Sequence, residues 1–311
     1  MHFETKEGEV HAVDDVSLDL DRGQVVGIAG ESGSGKSSIA LSLLSLLPSN
    51  AKILEGGVYL DGTEITHMPE GKLREIRWKK ISLISQGAMN ALNPVFRVGD
   101  QIKEAITTHS DASSVAAQSK VKQLLSEVGI PIDRYTAFPH ELSGGMKQRA
   151  MIAMALALDP EVVIADEPTT ALDVIMQAQI LVLLRDLQRA KKMAMVLITH
   201  DLSLVAEMCN KVAIVYAGQV VEYGPASKIF HNPRHPYTVG LIKAFPNIEA
   251  RKSKLISIPG APPDLIRVPA GCRFAERCPM ATDKCRAEMP DLREIDPNHT
   301  SRCWYAEDVH L

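Results

Sequence analysis

Polar and apolar positions alternate from Val10 towards Leu20, and after the turn Asp21-Arg22-Gly23 they give way to an unbroken apolar run, VVGIA. Alternation is the period of a half-covered strand, whereas a short continuous run bounded by turn residues suits a parallel strand buried on both faces. Two later runs share that second character, VVIADE at 162–167 and MVLITH at 195–200, and each ends on polar or charged residues. Between them, VGDQIKEAI, SSVAAQSKVKQLLSEVG and MKQRAMIAMALAL carry the helical period. The pattern predicts an α/β core from 1–86 and 161–230, with a helical subdomain inserted at 87–160. In open α/β sheets the carboxyl ends of the strands form the ligand crevice, so three strand ends are expected to deliver chemistry to one place.

Beyond residue 230 the pattern changes. Prolines recur from Pro233 through Pro246 to Pro297, and little regular structure is expected there. A segment (231–311) with few large apolar residues needs a cross-link to hold together. Four cysteines supply the candidates: Cys272, Cys278, Cys285 and Cys303, separated by five, six and seventeen residues. In a reducing compartment clustered thiols are better read as metal ligands than as disulfides. Zinc sites favour a tight CxxC knuckle, absent here, while wider spacing with Pro279 after Cys278 suits a [4Fe–4S] cluster; zinc and unligated thiols are the alternatives. Cys209, alone in DLSLVAEMCNKV, reads as a small buried hydrophobe.

Composition then narrows the classes. With 311 residues and 45% apolar content the chain can build a sizeable core, and a net charge of -4 with 23% charged residues gives no global basic field for nucleic acid. The longest apolar stretch, Ile39 to Leu47, is interrupted by Ser42 and Ser45 and closed by Pro48. It falls short of the roughly 20 apolar residues a spanning helix needs. The first residues, MHFETKEGEV, lack a basic start and an apolar run, so a cytosolic chain is expected.

The candidate chemistry starts at Gly30-Glu31-Ser32-Gly33-Ser34-Gly35-Lys36-Ser37, a phosphate-binding loop between a strand and a helix. The glycines let backbone N–H groups close around phosphates, Lys36 adds charge towards the β and γ phosphates, and Ser37 can ligate Mg²⁺. Ser38 continues that loop into the helix. Asp166 at its strand end can hold Mg²⁺ through water, and Glu167 can polarise the attacking water. A bare strand end explains two acids as well, until the phosphate loop is set beside them. His200, at the third strand end, can hydrogen-bond a γ-phosphate. Ser143, Gly144 and Gly145 of Leu142-Ser143-Gly144-Gly145-Met146 open a helix and form a second anion-binding N-terminus, although a simple serine cap would also explain them.

Taken in order, the loop at 30–37, Gln86 after ISLIS, LSGGM, VVIADE, Thr170-Ala171-Leu172-Asp173 and His200 resemble the nucleotide-binding domain of ABC transporters over about residues 1 to 230. The resemblance implies a P-loop NTPase core with an N-terminal antiparallel β subdomain, and ATP and Mg²⁺ as ligands. It implies that Gln86 reads Mg²⁺ and the membrane interface, that Asp173 lies at a dimer contact, and that the LSGGM segment caps ATP held by the opposite subunit. Met146 stands where the family usually has Gln, as in its peptide-importer branch. An adenine-stacking aromatic is not obvious; Phe3 and His11 are the candidates.

Asn232-Pro233-Arg234-His235-Pro236-Tyr237-Thr238, Ile258-Pro259-Gly260-Ala261-Pro262-Pro263 and the four cysteines resemble the C-terminal extension of oligopeptide and dipeptide importer ATPases, and Asn93-Pro94 fits that group. The resemblance implies a peripheral subunit at the cytoplasmic face of the membrane. Its implied partners are two permease subunits, a second ATP-binding subunit (a paralogue or a second copy) and, through the permeases, a substrate-binding protein, with no nucleic acid. A nickel or oligosaccharide importer of the same branch is an alternative, as is a soluble ABC ATPase outside transport.

Overall fold

The structure, a computed structural model, describes residues 1–87, 91–244 and 258–311; Pro246 lies outside them. In chain order the elements begin with β1 (His2–Thr5), β2 (Gly8–Val10), β3 (Val25–Ala29), α1 (Lys36–Leu43), β4 (Ala51–Lys52), β5 (Tyr59–Leu60) and β6 (Thr63–Glu64). Then come α2 (Glu70–Ile76), β7 (Ile81–Ile84), α3 (Val98–His109), α4 (Ser114–Glu127), α5 (Gly144–Ala155), β8 (Val162–Asp166), α6 (Val174–Lys191) and β9 (Ala194–Ile198). The chain closes with α7 (Leu202–Met208), β10 (Lys211–Tyr216), β11 (Gln219–Pro225), α8 (Ala226–His231), α9 (Pro236–Ala244), α10 (Asp283–Ala287), β12 (Arg293–Asp296) and β13 (His299–Ser301). No helix among the described residues is long and apolar enough to cross a membrane.

Two compact units divide these elements. The first comprises Met1–Asp19, Val25–Val58 and Thr199–Leu311. Here β3, buried at all five positions, pairs in parallel with β10, which continues antiparallel to β11. Gly27 of β3 leaves room for a neighbour: a Cβ there would lie 2.8 Å from the Cys209 sulfur. Cys209 is accordingly a packing residue, and burial pushes its thiol up to about 12. A small antiparallel sheet, β2-β1-β4, is set by the pairs Phe3 with Val10 and Phe3 with Ala51.

The region after 230 holds more regular structure than its prolines suggest. β13 adds antiparallel to β11, pairing Glu222 with Ser301 and Tyr223 with Thr300, and β12 adds outside β13. Behind this ribbon His299 Nε2 and Glu222 Oε1 sit 2.7 Å apart, both side chains fully buried. Arg302 donates to the Val220 carbonyl and pairs with Asp15 at 2.6 Å, while Arg273 donates to the Ala217 carbonyl and pairs with Asp14. The C-terminal segment is thus stitched by strand pairing and buried arginines to the N-terminal residues of its own unit.

The second unit comprises Leu20–Gln24 and Tyr59–Ile198. Its sheet is parallel, β9-β8-β7, with Ile164 opposite Leu83 and Val196. The last four residues of β8 and all five of β9 are buried, the condition that lets apolar runs go unbroken. The helices α3, α4 and α5 pack on one another. Val98, Ile102, Ala105 and Ile106 of α3, with Val121, Leu124 and Leu125 of α4, form the inward stripes their spacing predicts.

Candidate active site

In the first unit β3 delivers the loop to α1. Gly30 must be glycine, because a Cβ there would lie 2.1 Å from the Val215 carbonyl oxygen. Gly35, at φ 101°, caps α1 in the left-handed region, with the Ala12 carbonyl 2.3 Å from where a Cβ would be. The Ser34 carbonyl accepts from the Gly218 N–H at 2.9 Å. Lys36 is buried, and its Nζ donates to the carbonyls of Gly30 (2.9 Å) and Glu31 (2.8 Å), which hold the ammonium under the loop. Ser32, Gly33 and Ser37 are exposed and Ser38 is partly buried, so the mouth of the loop faces solvent. Such a cradle of backbone N–H groups at a helix N-terminus with one lysine is built for phosphate. His200, also of this unit and exposed, precedes Asp201, which caps α7 by accepting from the N–H groups of Ser203 and Leu204.

The second unit carries the acids. Asp166, the last residue of β8, is buried. Glu167 follows at φ 45°, a left-handed conformation uncommon for a residue with a side chain. Its N–H donates to the Ile198 carbonyl at 2.8 Å. Gln86 Nε2 donates to Glu167 Oε2 at 3.0 Å, and the Thr170 hydroxyl donates to the same oxygen at 2.9 Å. Gln86 and Glu167 are therefore brought together, from the ends of β7 and β8. Two donors on one carboxylate oxygen fix the rotamer of this side chain. Strain held at such a strand end is characteristic of working sites.

Ser143 caps α5, its hydroxyl accepting from the Met146 N–H at 3.3 Å, with Gly144 and Gly145 as the first helical residues. A Cβ on Gly145 would fall 2.0 Å from Met176 Cε, the mobile end of a flexible side chain on α6. Asp173 caps α6 through the Met176 N–H at 2.9 Å. Both residues serve as simple polar caps, and their exposed positions leave them accessible to a partner as well. Of the two aromatics, Phe3 lies on β1 opposite Val10, whereas His11 already packs its ring on His2, with centroids 4.0 Å apart.

Cys272, Cys278, Cys285 and Cys303 line one cavity, together with His235, Phe274, Met280 and Tyr305. All four are free thiols. Burial, reinforced by the neighbouring cysteines, pushes Cys278 up to about 11 and Cys303 up to about 12, and raises Cys272. Backbone N–H groups of Met280 and Tyr305 point at the Cys278 and Cys303 sulfurs at 3.4 Å.

Among the described residues, no three of these sulfurs lie within 4.8 Å of one another; the group that does meet that spacing is His2, Glu9 and His11. The four thiols are soft donors lining one cavity, but they are not gathered in a cluster-like arrangement.

The sequence profile of the ABC transporter family matches residues 13–170 of this chain. The chain belongs to that family. The C-terminal region of oligopeptide/dipeptide transporters also matches, over residues 221–285. The chain is 45% identical to the oligopeptide transport ATP-binding protein OppD of Escherichia coli (strain K12), over 97% of this chain and 90% of the relative. It is 45% identical to the dipeptide transport ATP-binding protein DppD of the same organism, over 99% and 95%. A dimeric ATP-binding cassette in a post-hydrolysis state, bound to ADP and phosphate, superposes with a TM-score of 0.65 at 27% identity, covering 72% of this chain and 95% of that one.

This ABC ATPase thus takes ATP and Mg²⁺ and couples hydrolysis to transport. The sequence pattern is silent on one part of its loop. Glu31 occupies a variable position of the phosphate-loop motif, yet its carboxylate is gripped by Arg277 from the cysteine-rich segment. No spacing rule links two residues so far apart along the chain; the only local signal was a carboxylate inside an anion-binding loop.

Proposed function

We propose that this ABC ATPase energises the import of oligopeptides or dipeptides, as a peripheral subunit bound to two permeases and paired with a second ATP-binding subunit. The observation that carries the solute class is the match of residues 221–285 to the oligopeptide/dipeptide transporter C-terminal region, alongside full-length relatives named for peptide transport. The same branch logic extends to a substrate-binding protein that delivers solute to the permeases.

The residues take the following roles. Backbone N–H groups from Gly30, Ser32, Gly33, Ser34 and Gly35, with Ser38, cradle the phosphates, and Lys36 neutralises the β and γ oxygens. Ser37, Gln86 and Asp166 serve Mg²⁺. Glu167 takes the proton of the attacking water, its carboxylate aimed by Gln86 and Thr170. His200 hydrogen-bonds the γ-phosphate. Ser143, Gly144 and Gly145 cap the ATP of the opposite subunit, and Asp173 meets that subunit. Phe3 and His11 are the candidates to stack on adenine, and one side of the His11 ring already packs on His2.

Cys272, Cys278, Cys285 and Cys303 hold a [4Fe–4S] cluster, with Zn²⁺ as the alternative occupant. The cluster would supply a structural cross-link at the cavity, and the wide spacing of the four cysteines along the chain, with no CxxC, is what supports it over a single zinc ion.

The test is purification from membranes under mild detergent. Permeases are expected to co-purify, and hydrolysis by the assembly to rise when peptide and its binding protein are added. Co-purification with ribosomes or DNA, with peptide-indifferent hydrolysis, would overturn the assignment.

A further inference from the structure

Every polar group of Glu31 is engaged within the first unit. Its N–H donates to the Tyr237 hydroxyl at 2.9 Å, and its carbonyl accepts from Lys36 Nζ at 2.8 Å and from the Ser34 N–H at 3.3 Å. Its carboxylate receives both arms of the Arg277 guanidinium, Nη1 to Oε2 at 2.7 Å and Nη2 to Oε1 at 2.9 Å. The same carbonyl that steadies the phosphate-binding lysine therefore belongs to a residue clamped at its other end.

Arg277 is fixed in turn. Its Nε donates to the Pro259 carbonyl at 2.8 Å, Nη2 to the Ile258 carbonyl at 3.3 Å and Nη1 to the Tyr216 hydroxyl at 3.2 Å. The guanidinium lies over the rings of Tyr216 and Phe274, 5.6 and 5.9 Å from their centroids. Its side chain is 5% exposed against 26% for Glu31, so the pair is shielded from screening by salt. Planar, fully donated and stacked, this is a site that a lysine cannot reproduce.

The backbone that carries Arg277 is a single short turn strung between two cavity cysteines. The Ala275 N–H donates to the Cys272 carbonyl at 2.9 Å, the Arg277 N–H to the Phe274 carbonyl at 3.0 Å, and Cys278 follows directly. Phe274, inside that turn, lines the cysteine cavity and also packs edge-on to Tyr216. Any rearrangement of Cys272 and Cys278 moves the turn, and with it the guanidinium that holds Glu31.

We propose that Arg277 is a positioning residue for ATP: through Glu31 it presets the phosphate loop, so that the state of the cysteine-lined segment is read out as affinity for nucleotide. The proposal rests on the reading of residues 30–37 as the phosphate loop. Arg277 touches neither nucleotide nor the reacting atoms; it acts by lowering the cost of ordering the loop that does. Because binding free energies are reciprocal, ATP also stabilises the cysteine segment.

The experiment measures the dissociation constant for ATP with a fluorescent analogue, and KM and kcat for ATP, on the full chain. Arg277→Ala is expected to raise the dissociation constant and KM about 10-fold or more while kcat at saturating ATP changes less than about threefold, the scale of a lost charge-assisted pair. Arg277→Lys recovers part of the affinity. Glu31→Gln, which keeps the shape of the loop and covers the case in which the Arg277 variants fail to fold, shifts in the same direction, and the double variant is no worse than Arg277→Ala. Cys278→Ser, which leaves both partners of the ion pair in place, weakens ATP binding as well.

Unchanged affinity in both Arg277→Ala and Glu31→Gln overturns the positioning role. A fall in kcat with KM unmoved does so too. Unchanged affinity in Cys278→Ser overturns the coupling to the cysteine segment. A wild-type chain that binds no ATP overturns the phosphate-loop reading itself, an outcome distinct from the others.

Discussion

His235, in the proline-rich start of the C-terminal segment, is fully buried, and its Nδ1 accepts the Tyr237 N–H at 3.1 Å. Burial holds the imidazole neutral, its pKa pushed down from 6.5 to about 3. The unfolded chain therefore binds a proton below 6.5 that the folded chain refuses until about 3. The stability this neutral ring contributes is intact above 6.5 and is lost as pH falls through that window. Between pH 7 and pH 5 the loss is on the order of 2 kcal/mol. Urea denaturation of wild type and His235→Gln at the two pH values is expected to show the steeper fall in wild type; parallel falls would place the pH sensitivity elsewhere. At this same scale the sequence was legible where chemistry demands a local pattern. Lys36, Ser37 and Glu167 follow from neighbours a few positions away, whereas Glu31 with Arg277, or Glu222 with His299, are pairs made by folding and leave no local trace.

Among the elements, β3, β8 and β9 were readable because both faces are covered, which permits unbroken apolar runs of four or five residues. The helices α3 and α4 announced themselves by their stripes. β12 and β13 did not: Arg293–Asp296 and His299–Ser301 are polar, short, and become strands only because β11 offers an edge. Short elements such as α10 and the turn at Ala275–Arg277 cannot sustain themselves, and in the proposed function the group held by the four cysteines would supply the cross-link they need. Protein purified without oxygen is expected to be brown with about four irons per chain. Removing the metal with a chelator is expected to speed amide exchange around residues 272–287 while α3 and α4 stay protected. A colourless, zinc-loaded protein, or exchange unaffected by metal removal, would contradict this account.

For the whole molecule, the proposed site residues fall in two compact units: residues 30–38 and His200 in the first, Gln86, Asp166, Glu167 and the capped α5 in the second. The motifs that handle phosphate specify ATP and its hydrolysis, and none of them encodes a solute. The peptide branch was legible mainly from the C-terminal segment, with Met146 and Asn93-Pro94 beside it, and that segment is also the part that grips the phosphate loop through Arg277. That arrangement makes the C-terminal segment part of the ATP-binding unit and not an appendage to it. The central claim is that this chain is an ATPase whose base is Glu167, held by Gln86 and Thr170. Its most direct test is single-turnover hydrolysis together with ATP affinity in Glu167→Gln. Affinity is expected to match wild type while turnover falls by about 10²–10⁴, the usual contribution of a general base; a variant that binds ATP and still turns it over at the wild-type rate would contradict the account.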